Sequence, residues 1–322
     1  MAVILVTGGA GYIGAHTCLA LATAGHFPVT LDNLSKGHRD AVRWGPLVHA
    51  SIADREAVKA AIATHKVEAL IHFAGAIEAG LSMREPARFY DENVVSALSL
   101  LAAAREAGVT RVVFSSSAAV YGEPKADLLR EDHPLLPVNT YGETKLAIER
   151  ALHWFAQAGA AQYAALRYFN AAGAAADSGI GEDHEPETHV IPLAIAAALG
   201  TGPRFRIFGT DYATPDGTAL RDYVHVMDLA RAHVAAVERL LKGRDSLVAN
   251  LGSGTGHSVR AVVDAVARVT GREVPFEIAP RRPGDPARLV ADIALAKREL
   301  GWQPEQSGLD EIVASAFAWH RR

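Results

Sequence analysis

The run Val3-Ile4-Leu5-Val6-Thr7-Gly8-Gly9-Ala10-Gly11-Tyr12-Ile13-Gly14 constrains the fold more than any other part of the sequence. A short apolar run stops at clustered glycines, and a helical pattern begins at Ile13. The spacing is Gly8-x-x-Gly11-x-x-Gly14. Glycine permits a tight strand-to-helix turn, lets backbone amides approach a pyrophosphate, and lets the helix pack close to the strand. The helix then turns its positive end toward the phosphates. Glycines alone mark any tight turn. With a legible strand before and helix after, the pattern is that of a dinucleotide-binding loop. A second apolar run, Val29–Leu31, ends at Asp32 and Asn33, about 20 positions beyond the loop. An acid there accepts hydrogen bonds from ribose hydroxyls and repels a ribose phosphate, so the expected cofactor is NAD and not NADP.

Leu70–Phe73 and Val112–Phe114 are further compact apolar runs and read as strands buried on both faces. Between the four runs, 13–24, 54–64, 89–107 and 142–157 have helical length and spacing, and Asp54 is a good N-cap. This alternation predicts an α/β fold, a Rossmann-type doubly wound parallel sheet. After about residue 170 the texture changes. The stretches 171–187, 209–217 and 279–286 are irregular and suit a smaller C-terminal substrate-binding lobe, while Val190–Leu199 reads as a buried helix. The expected division is 1–169 for the nucleotide-binding domain, with 222–255 returning to it, and 170–221 with 256–322 for the lobe.

Composition narrows the function classes. With Lys+Arg 32 and Asp+Glu 36, the net charge is −4, which argues against nucleic acid as a partner. No apolar stretch reaches the roughly 18–20 residues of a membrane span. Cys18 is the single cysteine, so no intrachain disulfide forms and a reducing, cytoplasmic location is expected. No Cys/His cluster has zinc spacing, and no metal is expected.

The chemistry-bearing residues follow the fourth strand. Phe114-Ser115-Ser116-Ser117-Ala118-Ala119-Val120-Tyr121-Gly122 ends it with hydroxyls, and carboxyl ends of strands face the ligand crevice in such sheets. Tyr141-Gly142-Glu143-Thr144-Lys145 opens a helix, with Tyr141 and Lys145 on one face. A nearby ammonium favours the phenolate, so Lys145 is expected to lower the Tyr141 pKa and make it a general base, with Ser117 holding the reacting oxygen. Small residues at His72-Phe73-Ala74-Gly75 let backbone lie against a cofactor.

These segments together resemble the extended short-chain dehydrogenases/reductases. Leu166–Asn170, Ile207–Tyr212, Asp216–Thr218, Arg221–Ala230 and Arg281-Arg282-Pro283-Gly284-Asp285 are similar, in order, to the UDP-galactose 4-epimerase family. The resemblance implies NAD contacts at Gly8, Gly11, Tyr12, Ile13, Gly14, Asp32, Asn33, Ser51, Ile52, Phe73, Ala74, Gly75, Lys145 and Phe169. It implies Ser117, Tyr141 and Lys145 as the catalytic residues. It assigns the UDP-sugar to Ser117, Tyr141, Asn170, Phe208, Arg221, Tyr223, Arg282 and Asp285, with Leu289 walling the sugar pocket. It further implies a homodimer through helices near 89–107 and 142–157. Arginines suit a diphosphate through planar, charge-assisted hydrogen bonds. Departures from the family pattern fall at Ser51, Ile77, Glu92, Ala119 and His189.

The implied reaction interconverts UDP-galactose and UDP-glucose through a 4-keto sugar with NAD retained. UDP-pentose or UDP-N-acetylglucosamine epimerisation is the alternative within the family. A 4,6-dehydratase needs an acid and a base where this chain has Ala118-Ala119. A catalytically inactive NAD sensor has no need of Tyr141 and Lys145 in register.

Overall fold

The computed structural model describes residues 1–282 and 284–322; Pro283 of the Arg281–Asp285 motif lies outside the described residues. Seven parallel strands form the main sheet: β1 (Val3–Thr7), β2 (Phe27–Asp32), β3 (Leu47–His49), β4 (Ala69–His72), β5 (Arg111–Ser117), β6 (Gln162–Tyr168) and, at the edge, a returning strand, Leu247–Leu251. From that edge strand the order runs β6-β5-β4-β1-β2-β3. The chain therefore reverses direction across the sheet between β1 and β4, and a crevice opens there at the carboxyl ends.

The period-two alternation of β1 splits the core. Ile4 and Val6 pack with Leu21, Ile71, Leu229 and Val237 on one face. Leu5 packs with Val29, Val58, Leu100 and Phe114 on the other. Each such buried aliphatic or aromatic side chain contributes about 1.5–3 kcal/mol. Asp54 caps the Arg55–His65 helix, its carboxylate accepting from Ala57 N. Val190–Leu199 is helical as expected, with Pro192 tolerated in its first turn and Gly200 ending it at φ 71°.

A third cluster, including Ile191, Ile195, Phe205, Ile207, Val262, Val266 and Ile312, builds the lobe. Its strands are β7 (Asn170–Ala172), β8 (Phe205–Phe208) and β9 (Leu220–His225). The returning edge strand is next in order as β10, followed by β11 (Gly256–Ser258), β12 (Phe276–Ala279) and β13 (Arg288–Leu289).

Three sequence expectations need correction. The strand at 222–226 does not join the main sheet: β9 pairs with β7, β11 and β13. The return starts instead near residue 226, with the helix Val226–Leu241 that covers the sheet, and continues into the edge strand Leu247–Leu251. Ala291, Ile293, Ala296 and Trp302, assigned to the lobe, pack into the main-sheet core. The helix expected over 89–107 is present but not uniform: it runs on from Pro86–Phe89 through a wide π turn at Tyr90–Val95 into Ser96–Glu106. The wide turn carries Asn93 inward, where its amide donates to Ala76 O and Thr144 Oγ1 at 3.0 Å each and its Oδ1 accepts from Ala76 N at 2.7 Å. The sequence signals only amphipathic periodicity and not this side-chain clamp.

Candidate active site

A cleft of about 2720 Å³ lies between the carboxyl ends of the main-sheet strands and the lobe. The sheet side supplies Gly8, Gly11, Tyr12, Ile13, Gly14, Asp32, Asn33, Ser51, Ile52, Phe73, Ala74, Gly75, Ser117, Tyr141 and Phe169. The lobe side supplies Asn170, Phe208, Arg221, Tyr223, Arg282 and Asp285. Residues scattered over most of the sequence thus converge on one space.

The glycine loop is shaped for close approach. Gly8 sits at φ +72°, and a Cβ there would come within 2.7 Å of Ala74 N. A Cβ on Gly14 would meet the Gly8 carbonyl oxygen at 2.1 Å, so the helix packs closely only without one. Gly11 is the N-cap of the Tyr12–Thr23 helix, and no side chain caps that end. Its first-turn N–H groups are free to meet an anion. Asp32 ties the loop: Oδ2 accepts from Ala10 N at 3.0 Å and Oδ1 from Leu34 N at 2.8 Å. Each oxygen keeps a further lone pair for a ribose hydroxyl. Loop, uncapped helix end and acid together fit a dinucleotide.

Ser117 ends β5, its Oγ accepting from Ala119 N at 3.1 Å. Tyr141 begins the Thr140–Gln157 helix, capped by Asn139, and packs against Ala76, Phe89 and Ala119. Lys145 is buried and does not line the cleft. Its Nζ donates to Ser115 O at 2.9 Å and lies 5.7 Å from the Tyr141 ring centroid. Burial draws the Lys145 pKa down to about 8. The Tyr141 pKa is not lowered as the sequence suggests. Burial pushes it well above the ordinary phenol value, Tyr168 raises it further, and a hydrogen bond with Ser117 offsets part of that. An ammonium held by a backbone carbonyl and itself weakened by burial does not outweigh desolvation of the phenolate.

On the lobe side the sequence-nominated polar residues engage one another. Arg221 pairs with Asp285 and also donates to Leu220 O at 2.7 Å. The Arg282 guanidinium lies 4.0 Å above the Phe208 ring. Asn170 and Tyr223 face each other in the β7–β9 register, and the buried Tyr223 hydroxyl has no hydrogen-bond partner among the described residues. Leu289 departs from expectation. It sits in β13 opposite Arg221, packs against the main core, and does not line the cleft. Strand alternation instead turns its neighbour Arg288 outward, toward Asp127.

The departures from the family pattern have local explanations. Glu92 pairs with Arg88 at 2.7 Å on the cleft rim, while the neighbouring Asn93 makes the inward polar contacts. Ser51 Oγ accepts from Ala53 N at 3.2 Å. Ile77 is exposed on the cleft lining. His189 belongs to a group the sequence reading missed: Glu182, His184, Glu187 and His189 meet on the strap before the Val190–Leu199 helix. Their spacing, E-x-H-x-x-E-x-H, was legible, but it sits in an irregular stretch and contains no cysteine. Burial lowers the His189 pKa, but Glu182 and Glu187 outweigh it and hold the imidazole at about 10. No helix among the described residues is long and apolar enough to cross a membrane.

Comparison with known proteins places this architecture. The family model for the "NAD dependent epimerase/dehydratase family" matches residues 4–252. A UDP-glucose 4-epimerase of Rhizobium leguminosarum bv. trifolii is 51% identical over 319 residues, covering 99% of this chain and 97% of that protein. The crystal structure of UDP-glucose 4-epimerase from Brucella ovis in complex with NAD superposes with a TM-score of 0.96 at 47% identity, covering 98% of both chains. A UDP-glucose-4-epimerase structure from Stenotrophomonas maltophila, with bound NAD and formylated UDP-arabinopyranose, superposes with a TM-score of 0.97 at 40% identity, covering 100% of this chain and 98% of that one. With the match running nearly end to end, and with its glycine loop, Asp32 and Ser117/Tyr141 facing one cleft, the chain belongs to the NAD dependent epimerase/dehydratase family.

Proposed function

We infer that this chain is a UDP-glucose 4-epimerase, an isomerase that interconverts UDP-galactose and UDP-glucose. The observation that carries the reading is the convergence of Ser117 and Tyr141 on the same cleft as the Gly8–Gly14 loop, with the Phe208/Arg282 pair opposite. Gly8, Gly11, Tyr12, Ile13, Gly14, Asp32, Asn33, Ser51, Ile52, Phe73, Ala74, Gly75 and Phe169 hold NAD in this reading, while Lys145, set back from the cleft lining, acts from behind Tyr141. When bound, NAD supplies the hydride acceptor and then the donor for carbon 4 of the sugar, and in its oxidised form brings positive charge to the cleft.

Tyr141 takes the proton of the 4-hydroxyl and later returns one to the 4-keto sugar. Burial raises its pKa, and positive charge beside it in the occupied cleft would favour the phenolate form that takes the proton. Ser117 hydrogen-bonds the same oxygen. Lys145 positions the backbone through Ser115 O and adds positive charge beneath the phenol. Arg221 and Arg282 grip the diphosphate, for which Arg221 exchanges its Asp285 partner. Asp285 then accepts from a ribose hydroxyl, Phe208 packs on uracil, and Asn170 and the unpartnered Tyr223 hydroxyl complete the polar wall. Affinity concentrated on the nucleotide leaves the sugar free to turn over between the two hydride steps.

Ala118 and Ala119 cannot move protons, which disfavours a dehydratase. The pentose nucleotide bound by the Stenotrophomonas relative favours UDP-pentoses as secondary substrates. Exposed Val95, Leu98 and Trp154, on the Tyr90–Glu106 segment and the Thr140–Gln157 helix, support a homodimer. The single buried thiol of Cys18 supports a cytoplasmic location. Incubation with UDP-galactose and separation of the products tests the reading. UDP-glucose appears and reaches the same ratio from either sugar; no interconversion overturns it.

A further inference from the structure

Four side chains on the strap between β7 and the Val190–Leu199 helix form a group that the epimerase chemistry does not use. Glu182, His184, Glu187 and His189 each offer one ligand-type atom, and all four atoms lie within 4.8 Å of one another. His189 Nδ1 is 2.7 Å from Glu182 Oε1 and 2.9 Å from Glu187 Oε1. One ring nitrogen, carrying at most one proton, thus serves two carboxylates. His184 Nδ1 is buried 3.3 Å from Glu182 Oε1 and has no hydrogen-bond partner among the described residues. Glu182 itself is only 3% exposed. Two carboxylates and two neutral imidazoles sum to −2, the complement of one divalent cation.

The dimensions suit a small tetrahedral ion. Zinc bonds of about 2.0–2.2 Å to nitrogen and oxygen imply ligand-to-ligand edges of about 3.3–3.5 Å. Shifts of about 1 Å bring the four atoms to those edges. Imidazole with carboxylate is zinc-type chemistry, whereas magnesium prefers six oxygens and keeps its waters. The strap backbone is already anchored: Trp319 Nε1 donates to Glu182 O at 2.8 Å and Lys36 Nζ to Glu185 O at 3.1 Å. The Tyr12 ring stands edge-on to His184, with centroids 6.2 Å apart.

We propose that Glu182, His184, Glu187 and His189 bind one zinc-type divalent cation that fastens the strap at the rim of the cleft. Four protein ligands close the coordination shell, so the ion is structural and carries no reacting water. Binding releases the proton held on His189 Nδ1 to solvent, which balances the exchange. The proposal does not depend on the identity of the sugar nucleotide.

The test uses tag-free full-length protein, stripped with a chelator and titrated with Zn²⁺ against a competing chelator, with Co²⁺ as a spectroscopic probe. The expected result is one Zn²⁺ per chain, a higher thermal midpoint, a tetrahedral Co²⁺ spectrum, and no response to Mg²⁺. His184→Ala and His189→Ala each weaken Zn²⁺ binding at least about 100-fold, since even groups behind a ligand are worth 10–100-fold. Glu187→Gln keeps shape and hydrogen bonding, and weakens Zn²⁺ in a protein of unchanged circular dichroism. It decides the matter if the histidine variants fail to fold. Failure to bind one equivalent, or binding undiminished in Glu187→Gln and in any folded histidine variant, overturns the proposal. Epimerase activity is no readout here, so failure of the site and failure of the functional reading are distinguishable.

Discussion

Gly11 and Gly14 separate what the loop does for the ligand from what it does for the fold. In Gly14→Ala the new Cβ would stand 2.1 Å from the Gly8 carbonyl oxygen and 2.8 Å from Gly9 Cα, both backbone atoms that cannot swing away. Relief requires the helix to back off by about 1 Å, an overpacking cost of about 1–3 kcal/mol. Alanine returns about 1 kcal/mol in helix propensity, so the net loss is about 0–2 kcal/mol, and the first-turn amides are displaced from the phosphate position. In Gly11→Ala the nearest protein atom is 3.3 Å away and the backbone, φ −84°, accepts alanine. A poorer N-cap is offset by a less flexible unfolded chain, so stability changes by no more than about 0.5 kcal/mol. Gly11 nevertheless lines the cleft, so a methyl group there adds bulk beside the ligand. Urea unfolding of NAD-free protein and calorimetry with NAD check both. We expect Gly14→Ala to lose stability and NAD affinity together, and Gly11→Ala to lose at least about 10-fold in affinity at near-unchanged stability. A Gly11→Ala protein that binds NAD normally would refute the argument that the loop is open for ligand approach.

Tyr141→Phe removes the proton carrier and lowers turnover by at least roughly 10²–10⁴-fold with NAD content unchanged, measured by product formation and nucleotide release on denaturation. Arg282→Ala weakens UDP binding by about 1.5–3 kcal/mol, roughly 10–150-fold by calorimetry. Unchanged affinity would remove Arg282 from the diphosphate site. Burial holds His16, His225 and His233 near a pKa of about 4 and His72 near about 3. These folded values lie below the unfolded 6.5, so the unfolded chain binds more protons between about pH 4 and 6.5. Stability is full above that window and is lost as pH falls through it, by up to about 1.4 kcal/mol per unit per histidine. Urea midpoints from pH 7.5 to 4.5 read the slope, and His16→Gln flattens it.

The loop, Asp32 and the strand-end serines were legible because each has a local cause. A glycine at φ +72° and an acid terminating a buried strand are consequences of short segments. The β9 pairing was not legible. Leu220–His225 reads like any half-buried strand, and its partners β7, β11 and β13 are distant in sequence. The behaviour of Lys145 was hidden for a related reason. Helical spacing brings it beneath Tyr141, but whether its ammonium meets the phenol or the Ser115 carbonyl depends on how β5 packs under the helix. The group at 182–189 shows the same limit in a loop, where no periodicity announces which histidines and acids will meet.

In a redox-neutral turnover the hydrogen leaving carbon 4 comes back to carbon 4. Conversion of UDP-galactose in D₂O, with no cofactor added beyond what the protein carries, tests it directly by mass spectrometry of the UDP-glucose formed. The product is expected to carry no deuterium on carbon 4, because only the Tyr141 proton exchanges with water. Deuterium on that carbon would contradict it.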